Sequence, residues 1–323
     1  MAIAGLERFK PNIEPPGEFL RFWALTVAEL QRIDPEPELE DDKIEDDDLA
    51  LKRVRYRSLG GAQIHGYLLR PKTVQPRPLV VHAHGYNDRY EVMVDWARRG
   101  FNVFGFDARG FGRSADSVDV SEYGYVITGV ESPQSSILRG AVADYLQAAR
   151  VARDLLVDQV TNVGFYGFSF GGGLALMAAA LSRDPDLVVV GQPTFGWNEE
   201  RFRLALAGSA LHIKEYVDQF PWRRDTVNST LDFFDTLHFA PRVHAPVFLG
   251  IGLDDDVVPS RTLLALANFL KTPVEVRILP VSHSADPRES LWLQFKEEWL
   301  RCLADGLPSE FGTGSRQLRG VAN

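Results

Sequence analysis

The chain has 323 residues, 45% of them hydrophobic and 24% charged, with a formal net charge of −9 and a pI near 5.3. That size and balance suit a globular protein able to bury roughly three quarters of its unfolded surface, and they exclude fibrous, collagen-like and disordered classes. The acidic balance opposes nucleic acid and anionic membranes as partners, no basic stripe is interleaved with aromatics, and no apolar run reaches membrane-spanning length.

The first ten residues lack the basic-then-apolar layout of a signal peptide, and the single cysteine, Cys302, has no internal disulfide partner. A cytoplasmic, soluble protein is therefore expected. Residues 1–50 read as an N-terminal helical extension, because after Pro15 and Pro16 the stretch Phe19 to Leu30 repeats apolar residues at helical spacing. The run Glu38 to Asp48 is rich in carboxylates but lacks the glycine and the spacing of a calcium loop. A solvated loop with no metal is expected there.

From residue 51 to 304 the pattern is that of one α/β domain. Val54 to Ser58 and Gln63 to Arg70 alternate around Gly60-Gly61, which predicts a β-hairpin. Pro78 to Gly85 is an unbroken apolar strand, Glu91 to Arg99 a short helix, and Phe101 to Asp107 the next strand. The glycine-rich turn Asp107 to Ser114 matches no complete phosphate-binding motif and is expected to be structural, with Arg109 as an ion-pair anchor. A long helix is predicted over 136–157, strands over 187–191, 245–252 and 274–279, and helices over 261–270 and 288–303. Between them, residues 195–241 form an aromatic-rich insertion, expected to be a helical cap with its own small core and an apolar underside. Residues 305–323 are expected to be a flexible tail. Strands alternating with helices make a mostly parallel sheet covered on both faces.

The chemistry centres on Gly167-Phe168-Ser169-Phe170-Gly171, set between an apolar strand and the helix-forming run Leu174 to Leu181. This Gly-x-Ser-x-Gly spacing suits a strand-to-helix turn so tight that side chains two positions either side of the serine would collide. Ser169 is the candidate nucleophile, and the amide of Phe170, at a helix N-terminus, is a candidate oxyanion donor. In such a sheet its partners follow later strands at their carboxyl ends. Of seven histidines only His283 follows the final strand of the alternating pattern, while packing or polar contacts account for His65, His82, His84, His212, His238 and His244. Asp254, Asp255 and Asp256 all follow the preceding strand, and one of them would orient the imidazole. The order Ser, Asp, His is that of the α/β-hydrolase fold. The second oxyanion donor is expected from His84-Gly85-Tyr86-Asn87, with the Tyr86 amide as candidate.

At this point the chain resembles the acetyl xylan esterase and cephalosporin C deacetylase family, carbohydrate esterase family seven. The likeness runs over nearly the full length, through Phe19 to Leu25, His84 to Asn87, Arg109-Gly110, Arg139-Gly140, Gly167 to Gly173 and Gly252 to Pro259. It implies a triad of Ser169, Asp255 and His283, an oxyanion hole from the Tyr86 and Phe170 amides, no cofactor, and a ring-shaped homo-oligomer. Three positions depart from the family pattern: Phe111 and Phe170 stand where glutamine is usual, and Ser284 where glutamate is usual. The two aromatic replacements predict a more apolar pocket.

The expected activity is that of a metal-independent serine carboxylic-ester hydrolase, deacetylase-like, acting through an acyl-enzyme on a small or medium, fairly apolar ester. Acyl transfer, lactone formation or carbon–carbon bond hydrolysis by the same triad is the alternative, and a non-catalytic binding protein on this fold is a third reading.

Overall fold

The computed structural model describes residues 9–283, 289–305 and 317–320. In chain order the strands are β1 (Glu38–Asp42), β2 (Leu49–Arg57), β3 (Gln63–Pro71), β4 (Arg77–Ala83), β5 (Asn102–Asp107), β6 (Val160–Phe168), β7 (Leu187–Gly191), β8 (Val247–Gly252), β9 (Val274–Leu279) and β10 (Gln317–Gly320). They form one sheet in the order β1-β2-β3-β5-β4-β6-β7-β8-β9-β10. From β5 onward neighbours run parallel, whereas β1, β2, β3 and β5 pair antiparallel. The hairpin between β2 and β3 turns through Gly60 and Gly61, whose φ angles of +70° and +79° suit residues without a Cβ.

The helices are α1 (Phe19–Gln31), α2 (Val94–Arg98), α3 (Ile137–Leu155), α4 (Phe170–Leu181), α5 (Asn198–Leu204), α6 (Gly208–Gln219), α7 (Arg224–Asp232), α8 (Thr236–Phe239), α9 (Ser260–Phe269) and α10 (Glu289–Asp305). Successive residues on a strand point to opposite faces, and here both faces are covered. Val81, Phe104, Phe165 and Val188 enter the core shared with α1, α3, α4 and α9. Their neighbours Val80, Val103, Tyr166 and Val189 enter the core under α2 and α10. Continuous apolar strands follow from this double burial.

Two expectations need correction. Glu38–Asp42 is a strand, not a loop: it pairs antiparallel with β2, and its carboxylates meet the cations opposite, Lys52 with Asp41 at 2.7 Å, Arg53 with Asp42 at 2.6 Å, and Arg55 with Glu38. A charged edge strand satisfies its backbone on one side and discourages further pairing on the other. In the tail expected to be flexible, Gln317–Gly320 instead pairs parallel with β9, because an open strand edge accepts backbone hydrogen bonds whatever the side chains are. The rest of that tail lies outside the described residues.

α1 packs against the segment between β7 and β8. The Trp23 indole N–H donates to the carbonyl of Phe233 at 3.0 Å, and the rings of Phe19, Phe22 and Trp23 meet those of Phe233, Phe234 and Phe239. Much of the aromatic content of residues 195–241 is thus spent on packing.

Candidate active site

β6 runs into α4 with Ser169 as the only residue between them. Ser169 has φ +53° and ψ −115°, a conformation that side-chain-bearing residues rarely hold unless their surroundings enforce it. The enforcement is visible. The Ser169 amide donates to the carbonyl of Gly191 at 2.9 Å, and its carbonyl accepts from Gly173 at 3.0 Å and from Thr194 at 3.1 Å. A Cβ on Gly167 would sit 2.2 Å from the Gly171 backbone, and one on Gly171 would sit 2.4 Å from the Ala83 carbonyl oxygen. Both glycines are therefore steric requirements of the turn.

Across the sheet end, Asp255 and His283 meet. Asp255 Oδ2 lies 2.9 Å from His283 Nδ1, while Oδ1 accepts from the amides of Val257 at 2.8 Å and Val258 at 2.7 Å. The carboxylate is thereby fixed in direction. Of the three adjacent aspartates only Asp255 is buried, and Asp254 and Asp256 are exposed. The His283 ring lies against the ring of Phe168, centroids 5.3 Å apart, so the imidazole stands over the end of the strand that delivers Ser169. Among the described residues no hydrogen bond joins Ser169 Oγ to His283, and such bonds commonly tighten only with substrate bound. Ser284 lies outside the described residues.

The Phe170 amide is the first of α4, so it has no partner within the helix and lies where the helix dipole favours negative charge. The tight contact of Gly171 with the carbonyls of Ala83 and His84 sets the start of α4 directly against the loop that carries Tyr86. His84 holds that loop: its Nε2 accepts from the Ala108 amide at 3.1 Å, which leaves the ring proton on Nδ1, facing the Gly85 carbonyl at 2.6 Å. Burial keeps His84 below the usual histidine range, so it is a neutral brace. His82 is also structural, with its Nε2 2.7 Å from the Tyr67 hydroxyl and its pKa driven by burial down to about 3. Arg109 anchors an ion pair as expected, gripping Asp144 at 2.7 and 2.9 Å and donating to the Leu59 carbonyl.

The two aromatic departures are buried. Phe170 is fully buried and Phe111 nearly so, and they pack on each other at 5.6 Å between centroids, within a cluster that includes Tyr86 and Tyr125. The replaced side chains face each other inside the protein. A cavity of about 310 Å³ does open beside the turn, lined by Gly85, Asp88, Met93, Phe168, Trp292 and Lys296 among others.

Sequence reasoning missed the segment after β7. Gln192, Phe195 and Trp197 all have positive φ, at +49°, +72° and +49°, with nothing in their residue type to announce it. It also missed Arg201, fully buried between the rings of Phe195 and Phe202 and bonded to Thr194 Oγ1 and Ser209 Oγ. Burial lowers its pKa to about 10.

Residues 1–298 match the acetyl xylan esterase (AXE1) family. The chain belongs to that family. It is similar to the acetyl xylan esterase of Paenibacillus sp. R4, with 26% identity and a TM-score of 0.84 over 92% of this chain and 99% of that one. Acetyl xylan esterase 1 of Thermoanaerobacterium sp. JW/SL YS485 aligns at 25% identity and TM-score 0.83, covering 92% and 98%. The acetyl esterase Axe7A of Xylanibacter ruminicola is 23% identical over 91% of this chain and 69% of its own length. The fold is that of the α/β-hydrolase esterases, and the protein is a serine carboxylic-ester hydrolase. No helix among the described residues is long and apolar enough to cross a membrane.

Proposed function

We propose that this esterase removes small acyl groups, acetyl first among them, through an acyl-enzyme formed on Ser169. The observation that carries the reading is the strained serine turn at the same sheet end as the hydrogen-bonded Asp255–His283 pair. Ser169 Oγ attacks the ester carbonyl as its proton passes to His283 Nε2, and the amides of Tyr86 and Phe170 receive the oxyanion. Collapse breaks the bond to the leaving alcohol, which takes the proton from His283. Water then repeats the sequence in reverse and frees the acid. Asp255 keeps the imidazole in the tautomer this shuttle needs.

The acetyl preference is supported by the names of the relatives. The test is turnover of p-nitrophenyl esters from acetate to octanoate by the wild type and Ser169→Ala. Acetate-selective turnover, lost on the order of a millionfold in the variant, is expected. Full activity in Ser169→Ala would refute the triad, and preference for octanoate would refute the acetyl reading. We also place the protein in the cytoplasm as a homo-oligomer, with residues 195–241 as its cap. The exposed Leu206 and Trp222 on that insertion support the homo-oligomer.

A further inference from the structure

The side chain of Tyr86 leaves the loop after β4 and reaches the insertion. Its hydroxyl lies 3.1 Å from Nδ1 of His212, on α6. Burial pushes the phenol of Tyr86 up to about 12, so its O–H is retained and faces His212 Nδ1, which accepts it when the ring hydrogen sits on Nε2. The imidazole is closely seated, since a Cβ on Gly124 would lie 3.2 Å from its Nδ1. Immediately after Tyr86 the chain turns through Asn87 at φ +57°, and the bond to His212 adds to the packing of the Tyr86 ring on Phe111, Tyr125 and Phe170 in fixing this residue. The turn leading into α6 touches the other catalytic loop, where the Leu206 amide donates to the Asp256 carbonyl at 2.8 Å.

We propose that His212 is a positioning residue of this esterase: by accepting the phenolic proton of Tyr86 it fixes the Tyr86 amide at the oxyanion, so that hole geometry depends on the seating of α6. The proposal rests on the reading of Tyr86 as an oxyanion donor and names the group outside the triad that holds it. It requires no contact between His212 and substrate.

The test is kcat and KM on p-nitrophenyl acetate for His212→Ala, His212→Asn, Tyr86→Phe and the Tyr86→Phe/His212→Ala double variant, with thermal melts alongside. Each of His212→Ala and Tyr86→Phe is expected to lower kcat by about tenfold to a hundredfold, with KM within about twofold, because a displaced donor is lost mainly from the transition state. The double variant should be no slower than the slower single one, since both remove the same bond. His212→Asn, whose Oδ1 takes the place of Nδ1 as acceptor, should recover most of the rate. Multiplicative losses in the double variant, no recovery with asparagine, or wild-type kcat in both single variants would each overturn the proposal. Should His212→Ala not fold, Tyr86→Phe and His212→Asn still decide it. Fluorophosphonate labelling of Ser169 separates the two levels: an unlabelled wild type refutes the esterase mechanism itself, whereas a labelled wild type with an unaffected Tyr86→Phe refutes only the role of His212.

Discussion

Gly171→Ala tests whether the serine turn and the oxyanion loop form one rigid unit. The added methyl carbon would lie 2.4 Å from the carbonyl oxygen of Ala83 and 2.7 Å from that of His84, where ordinary contact begins at 3.4 Å. Both obstacles are backbone, so neither can rotate away. The start of α4 and the end of β4 must part by ~1 Å, and a misplacement of that size at reacting groups costs on the order of a hundredfold in rate. Overpacking of this kind also costs about 1–3 kcal/mol of stability. Steady-state kinetics on p-nitrophenyl acetate should show the loss in kcat rather than KM, and a thermal melt should show a fall of a few degrees. Gly85→Ala is the control for stability, because a Cβ there meets nothing nearer than 4.0 Å and its melt should not move. Wild-type kcat and an unshifted melt in Gly171→Ala would refute the claim that this contact sets the hole.

Two further outcomes are expected. Asp255→Asn should lower kcat by about ten-thousandfold, because the amide favours the wrong imidazole tautomer. The same change at exposed Asp254 or Asp256 should stay within about twofold, and equal losses at all three in a steady-state assay would refute the selection of Asp255. His82 makes stability depend on pH. Its folded pKa of about 3 lies below the unfolded value, so its contribution is complete above ~6.5 and is lost as pH falls toward 3 while the unfolded chain takes up the proton. The slope reaches about 1.4 kcal/mol per pH unit. Urea denaturation at pH 7 and 4.5 should therefore show a smaller acid loss in His82→Gln, by about 2 kcal/mol, and equal losses would contradict the burial of a neutral imidazole.

Much of the fold and the site could be read from the sequence because the signals are local. Double burial makes β4, β6, β7 and β8 continuous apolar runs, and the turn around Ser169 needs glycine at 167 and 171 for reasons that act within a few residues. His283 could be singled out because strand order places the ends of β8 and β9 on one side of the nucleophile. The acidic run at 38–48 defeated the same approach, because its partners Lys52, Arg53 and Arg55 are reached only after the chain folds back as β2.

The sequence by itself determined the parallel sheet, the strained serine turn and the types of residue at the site. Residue types left three aspartates open until the family resemblance singled out Asp255, and tertiary structure shows that it is Asp255 that meets His283, that Phe111 and Phe170 pack on each other, and that α6 brings His212 to Tyr86. The physical reason is range: backbone sterics and burial periodicity are written in neighbouring residues, whereas pairing between side chains from 28 to 126 positions apart depends on where whole elements come to rest.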